Sequence, residues 1–237
     1  MNPTILRLSA QALFGRRRGF VMLVIPAILL VLTAIVRLLT DPGTAYPDIV
    51  GGLGCDLALP LVALLATTAV LGPEVDDGSI VYLLAKPVNR WSVALAKYVV
   101  ALAATIGFGA VPVLLAGLVN DSGHPGMSFA MLAGAVLAAF AYCALFLGLC
   151  ALTRHAVVIG LLFVFLWEGA VGNLLDGVRW LSIGAWARQV AAVLSDRLDV
   201  PVSVGTPYAL VAALVVVVAG VAFAGWRLAT FSLTGET

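Results

Sequence analysis

Charge is what this chain has least of. Lysine, arginine, aspartate and glutamate make up 11% of its 237 residues, hydrophobic residues make up 62%, and the mean hydropathy is +1.12. A soluble domain carries roughly one quarter charged residues, so neither a water-soluble globule nor a soluble catalytic domain is expected. The 13 basic and 12 acidic side chains nearly cancel, which leaves no basic field for a nucleic acid. Cysteine is scarce as well. Cys55, Cys143 and Cys150 lie inside apolar runs without CxxC spacing, which argues for soft core residues rather than a disulfide framework. His124 and His155 fall in opposite connections with no ligand set around them, so no metal is expected. No GxxxxGK[ST] run occurs, and the chain therefore holds no nucleotide by the usual phosphate loop and is expected to bind no cofactor of its own.

What the chain does have is long apolar runs. A bilayer core of about 30 Å takes about 20 helical residues at about 1.5 Å each. Six stretches meet that length: 20–39, 49–71, 98–119, 128–152, 156–175 and 208–226. Turn-forming residues separate them, among them Asp41-Pro42-Gly43, Gly72-Pro73 and Asn120-Asp121-Ser122-Gly123. The expected fold is all-α, a single polytopic transmembrane domain of six helices.

The basic residues orient it. Arg16, Arg17 and Arg18 precede the first run, which is too long for a signal peptide and lacks a small-x-small cleavage site, so it reads as an anchor. A cytoplasmic N-terminus puts Arg7, Arg16 to Arg18, Lys86, Arg90, Lys97, Arg154 and Arg227 inside, which is nine of the 13. With six spans both termini are then cytoplasmic. Two further helices are expected at the membrane surfaces. Asn2-Pro3 starts one over 3–16, with Ile5, Leu8 and Ala12 along one side. The other lies in the external connection 176–207, where Trp186, Val190, Val193 and Leu194 share a face opposite Arg188 and Ser195, with Trp180 and Trp186 at headgroup depth.

The connection 72–97 is the most structured loop. Glu74, Asp76 and Asp77 form an acidic turn; Ser79 can cap a short helix that presents Ile80, Leu83 and Leu84; Pro87 stops it, and Asn89 can cap the next helix. This order of an acidic residue, Gly78 four residues on, Leu83-Leu84, Pro87-x-x-Arg90 and Lys97 resembles the permease subunits of ABC-2 type transporters. The six-span layout, the N-terminal interfacial helix and the large external loop extend the resemblance over essentially the whole chain.

That resemblance implies an ABC-2, type V exporter-like permease fold in a bacterial cytoplasmic (inner) membrane. It implies that residues 74–85 form a coupling helix seated on a separate ATP-binding subunit, with ATP and Mg held there, and that Arg90 and Lys97 set this helix at the membrane surface. Six spans are half of the family's usual transmembrane unit, which implies a second permease copy or a related permease. The residues leave other readings open: an intramembrane enzyme, for which converging catalytic groups are missing; an ion-coupled carrier, for which internal repeats are missing; and a non-transporting immunity or assembly subunit. No substrate is legible.

Ionisable residues inside spans are functional candidates, because burial there is costly. Asp56 and Glu168 are the clear cases, at similar depth in the outer half by helical rise. They either line a route for cargo or pair with Arg37 or Arg179 to fix packing, with Asn173 able to join. Small residues in spans three and four, such as Ala101, Gly107, Gly134 and Ala138, predict close helix approach, and Pro26, Pro60 and Pro112 predict kinks.

Overall fold

The computed structural model describes residues 17–41, 44–76, 90–153, 155–171, 180–198 and 204–230. They form seven helices: α1 (Arg17–Leu39), α2 (Pro47–Ala58 continuing as Leu59–Asp76), α3 (Arg90–Thr105, Ile106–Ala110 and Val111–Asn120 in one rod), α4 (Pro125–Leu152), α5 (Ala156–Leu162 continuing as Phe163–Val171), α6 (Ile183–Leu194) and α7 (Thr206–Thr230). No strand occurs among the described residues. Five of these helices are long and apolar enough to cross a membrane: α1, α2, α3, α4 and α7. The expected sixth span, α5, is apolar but shorter, and is described only to Val171. The predicted interfacial helix over 3–16 lies outside the described residues.

Helix ends follow local chemistry. Pro125 at the first turn starts α4 three residues earlier than the apolar run alone indicates. α3 begins at Arg90, eight residues before the predicted apolar run, because the polar residues ahead of that run continue the same helix. Two of the three predicted kink positions coincide with widened helix. The π-helical stretch Pro47–Ala58 ends just before Pro60, and the π-helical stretch Ile106–Ala110 ends just before Pro112. Proline lacks an N–H and crowds the carbonyl four residues back, and a wider turn relieves both. A third π-helical stretch, Phe163–Val171, contains no proline.

α4 is the hub, packed against α2, α3, α6 and α7. Tyr142, Cys143, Phe146 and Leu147 on it are fully buried. The three cysteines are buried, and Cys143 Sγ donates to Thr105 Oγ1 at 3.2 Å. Close approach is made by glycine: a methyl group at Gly134 would strike the carbonyl oxygen of Ala187 on α6, and one at Gly220 on α7 would strike that of Ala144. Without a hydrophobic drive between helices in lipid, such backbone proximity supplies the packing energy. α1 and α7 stand at the periphery, with 22% of their spans buried against 67% for α2 and α4. Leu23, Ile28 and Val31 on α1 and Val211, Leu214 and Val218 on α7 point outward, as lipid-facing residues do. Buried threonines 33, 67, 68 and 105 return their hydroxyls to the carbonyl four residues back, so no interior hydroxyl among them lacks an acceptor.

Candidate functional site

Two places carry polar chemistry. The first is a buried charge cluster where α2, α4, α5 and α6 meet. Asp56 comes from the π-helical part of α2 and Glu168 from the π-helical part of α5. Arg188 reaches in from α6 and forms an ion pair with Asp56 Oδ2. Glu168, 5% exposed, receives two hydrogen bonds from the start of α6: Ser182 Oγ donates to Oε2 at 2.6 Å and the Ile183 N–H to Oε1 at 2.9 Å. Ser182 also caps α6 by accepting from the Ala185 N–H at 3.1 Å. A carboxylate at a helix N-terminus satisfies otherwise free N–H groups and meets the positive end of the helix dipole.

The two acidic residues placed at one depth by the sequence are thus brought to the same part of α6, and Asp56 pairs with Arg188, a cation the sequence reading did not name. Arg188, expected on the polar outward face of an external helix, points inward to Asp56, and Arg37 on α1 makes no ion pair among the described residues. Arg179 and Asn173 lie outside the described residues. The physical reason is the orientation of α6. Its buried face contains Gly184, Ala187 and Ala191 with Trp186, whereas Val193 and Leu194, expected on one apolar face with Trp186, are 58% and 60% exposed. The helix is wedged against α4 and α7. Large apolar side chains can remain on the lipid side, and small ones let backbones close. The spacing of Gly184, Ala187, Arg188 and Ala191 at i, i+3, i+4 and i+7 was the available signal for Arg188.

Aromatic residues close one side of the cluster. Trp180 is 46% exposed and its carbonyl accepts from Trp186 Nε1 at 2.9 Å and from Tyr208 Oη at 3.1 Å. Trp186, expected at headgroup depth, is buried at 3% exposure. In the connection between α3 and α4, His124 Nδ1 lies 2.9 Å from Asp121 Oδ2 and the Gly123 N–H donates to Oδ1 at 3.1 Å. The hydrogen bond with His124 is the main cause holding the Asp121 carboxyl below the usual aspartate range.

The second place is the opposite end of α2 and α3. Lys97 is 1% exposed and its Nζ donates to the Val70 carbonyl at 2.7 Å. It fastens the end of α2 to the start of α3. Glu74 and Asp76 sit in the closing turns of α2 and Arg90 opens α3. Asp77, Gly78, Leu83, Leu84 and Pro87, the rest of the implied coupling segment, lie outside the described residues.

Long apolar helices closed by small residues, with buried charges among them, define a multi-pass membrane protein. Residues 15–175 match the family described as ABC-2 family transporter protein, and the chain belongs to that family. The match spans the first four long helices, the 72–97 connection and α5. Members of the family are membrane-spanning subunits that generally work with an ATP-binding subunit. No curated protein sequence matches the chain.

Proposed function

We propose that the chain is the transmembrane permease of an ATP-driven ABC-2 exporter in a bacterial inner membrane. In this reading it forms the translocation path with a second permease copy, and a separate subunit binds ATP and Mg. The family match carries the proposal, because it includes the 72–97 connection by which the ATPase would be engaged. The Lys97 contact supports it. Movement delivered to residues 74–85 would reach α2 and α3 together, because the Val70 carbonyl and Lys97 Nζ bind the two helices where that connection leaves them. A buried ammonium released from its acceptor is costly, so the two helices move as a unit. The outward apolar faces of α1 and α7 provide surface for lipid and for a second copy.

Cross-linking tests the reading. The native thiols are buried, so a short thiol-to-amine reagent is directed to cysteines introduced as Leu83→Cys and Leu84→Cys. Cross-links to an ATP-binding subunit from both, and none from Asp121→Cys on the opposite connection, are expected. Absence of links from Leu83→Cys and Leu84→Cys in an intact complex, or equal linkage from Asp121→Cys, would remove the coupling role.

A further inference from the structure

The five tryptophans of the chain gather at two levels of the bundle. At the start of α3, Trp91 lies against the last turns of α7: a Cβ placed on Gly225 would stand 2.6 Å from its ring, and Trp226 follows on the same helix. Both rings are about half exposed. The other three tryptophans lie around the start of α6, together with Tyr208 of α7. Trp167 Nε1 donates to the Leu181 carbonyl at 3.4 Å, and Trp186 Nε1 and Tyr208 Oη both donate to the Trp180 carbonyl. The rings of Trp180 and Tyr208 stand edge to face with centroids 5.0 Å apart. Trp186 is buried, whereas Trp167, Trp180 and Tyr208 reach the surface.

The two levels are a bilayer apart. Tyr208 and Trp226 lie on the one helix α7, and at helical rise they are separated by about 27 Å, close to the roughly 30 Å of a hydrocarbon core. No polar side chain lies between them, and Leu210, Val211, Leu214, Val215 and Val218 in that interval are exposed. Arginine stands just beyond the first level on both helices, as Arg90 before Trp91 and Arg227 after Trp226. An aromatic ring with an apolar body and a polar N–H or O–H is most stable where acyl chains give way to headgroups.

We propose that these residues form two girdles in contact with the headgroup regions of a lipid bilayer. Trp91 and Trp226 make one, Trp167, Trp180 and Tyr208 make the other, and about 27 Å of hydrocarbon lies between them. The placement needs only a chain that spans a membrane and does not rest on the permease reading. It sets the depth of the charge cluster. Glu168 follows Trp167 and is bound by Ser182 and Ile183, just after Trp180, so the cluster sits at the border of the hydrocarbon, where an ionisable group costs less than at the midplane. α3 and α4 run through membrane-length helices of 30 and 28 residues, longer than the interval, and carry the Asp121–His124 turn past the second girdle.

The test uses the full chain in phosphatidylcholine vesicles with acyl chains brominated either near the headgroup or near the chain end, and reads tryptophan fluorescence. Shallow bromines are expected to quench at least about twofold more than deep ones. Val218→Trp adds a ring at an exposed position near the middle of the α7 interval and should lower that ratio through new deep quenching. Repeated in bilayers with cores of about 20, about 27 and about 35 Å, the wild-type ratio is expected to peak at the middle thickness. Deep quenching as strong as shallow in the wild-type chain, or an unchanged ratio in Val218→Trp, overturns the placement. A peak at another thickness overturns the spacing. Quenching by neither lipid means that protein covers these rings, and overturns the girdles as well.

Discussion

At the scale of single residues, burial decides which charges matter. Asp56 and Arg188 are each about one quarter exposed, so their pair is weaker than a fully desolvated one but stronger than a surface pair. Arg188→Leu is expected to cost about 2 kcal/mol by stranding Asp56, while Asp56→Leu with Arg188→Leu should cost less than the two single changes summed. Thermal unfolding in detergent checks this. Ser182→Ala removes both the cap of α6 and a donor to Glu168, and a loss of about 1–2 kcal/mol is expected in the same assay. Outside the spans, the lowered Asp121 carboxyl favours the native state above about pH 4, the unfolded range, and that contribution is lost as pH falls through its lower folded value. Asp121→Asn should flatten the acid limb of the stability profile. Asp56 and Glu168 were legible in the sequence because charge in an apolar run stands out. Arg188 was not, because it lies in a polar connection where an arginine carries no surprise.

At the scale of helices, the apolar runs located the long elements, and their ends moved by local chemistry the runs do not record. Pro125 drew α4 back by three residues, and Pro60 and Pro112 are preceded by widened turns rather than simple bends. α6 was legible as a helix and misread in its packing. The periodicity of Trp186, Val190, Val193 and Leu194 marks an apolar face, which the sequence reading placed at the membrane surface. In lipid the inward face is the one that permits close approach, and that is the side of Gly184, Ala187 and Ala191. Gly134→Ala is accordingly expected to push α4 from the Ala187 carbonyl and lower the thermal midpoint. Gly126→Ala, at a position open around its Cα, should leave the midpoint unchanged or raise it through better helix propensity. Equal effects of the two changes would contradict the close α4 to α6 contact.

At the scale of the whole molecule, the chain is a bundle with a hub helix, a charge cluster at one end and a lysine clasp at the other. Membership of the ABC-2 transporter family agrees with that plan, and the family resemblance was legible in the order of Glu74, Gly78, Leu83-Leu84, Pro87, Arg90 and Lys97. The buried state of Lys97 was not, because its acceptor is a backbone carbonyl that no side-chain motif records. Lys97→Met keeps the stem and removes the donor, so helix packing should survive while the transmission between the 72–97 connection and the bundle is loosened. A loss of permease-dependent change in the partner's ATPase rate, with assembly intact, is the expected outcome.

The most direct measurement is co-purification of the tagged chain from its native membrane in mild detergent, with Glu74→Lys and Gly78→Pro carried in parallel. An ATP-binding subunit recovered in fixed ratio with the wild-type chain, and lost from both variants while the permease oligomer persists, is the expected result. An intact permease oligomer that brings down no ATPase would contradict the assignment of this chain as the membrane half of an ATP-driven transporter.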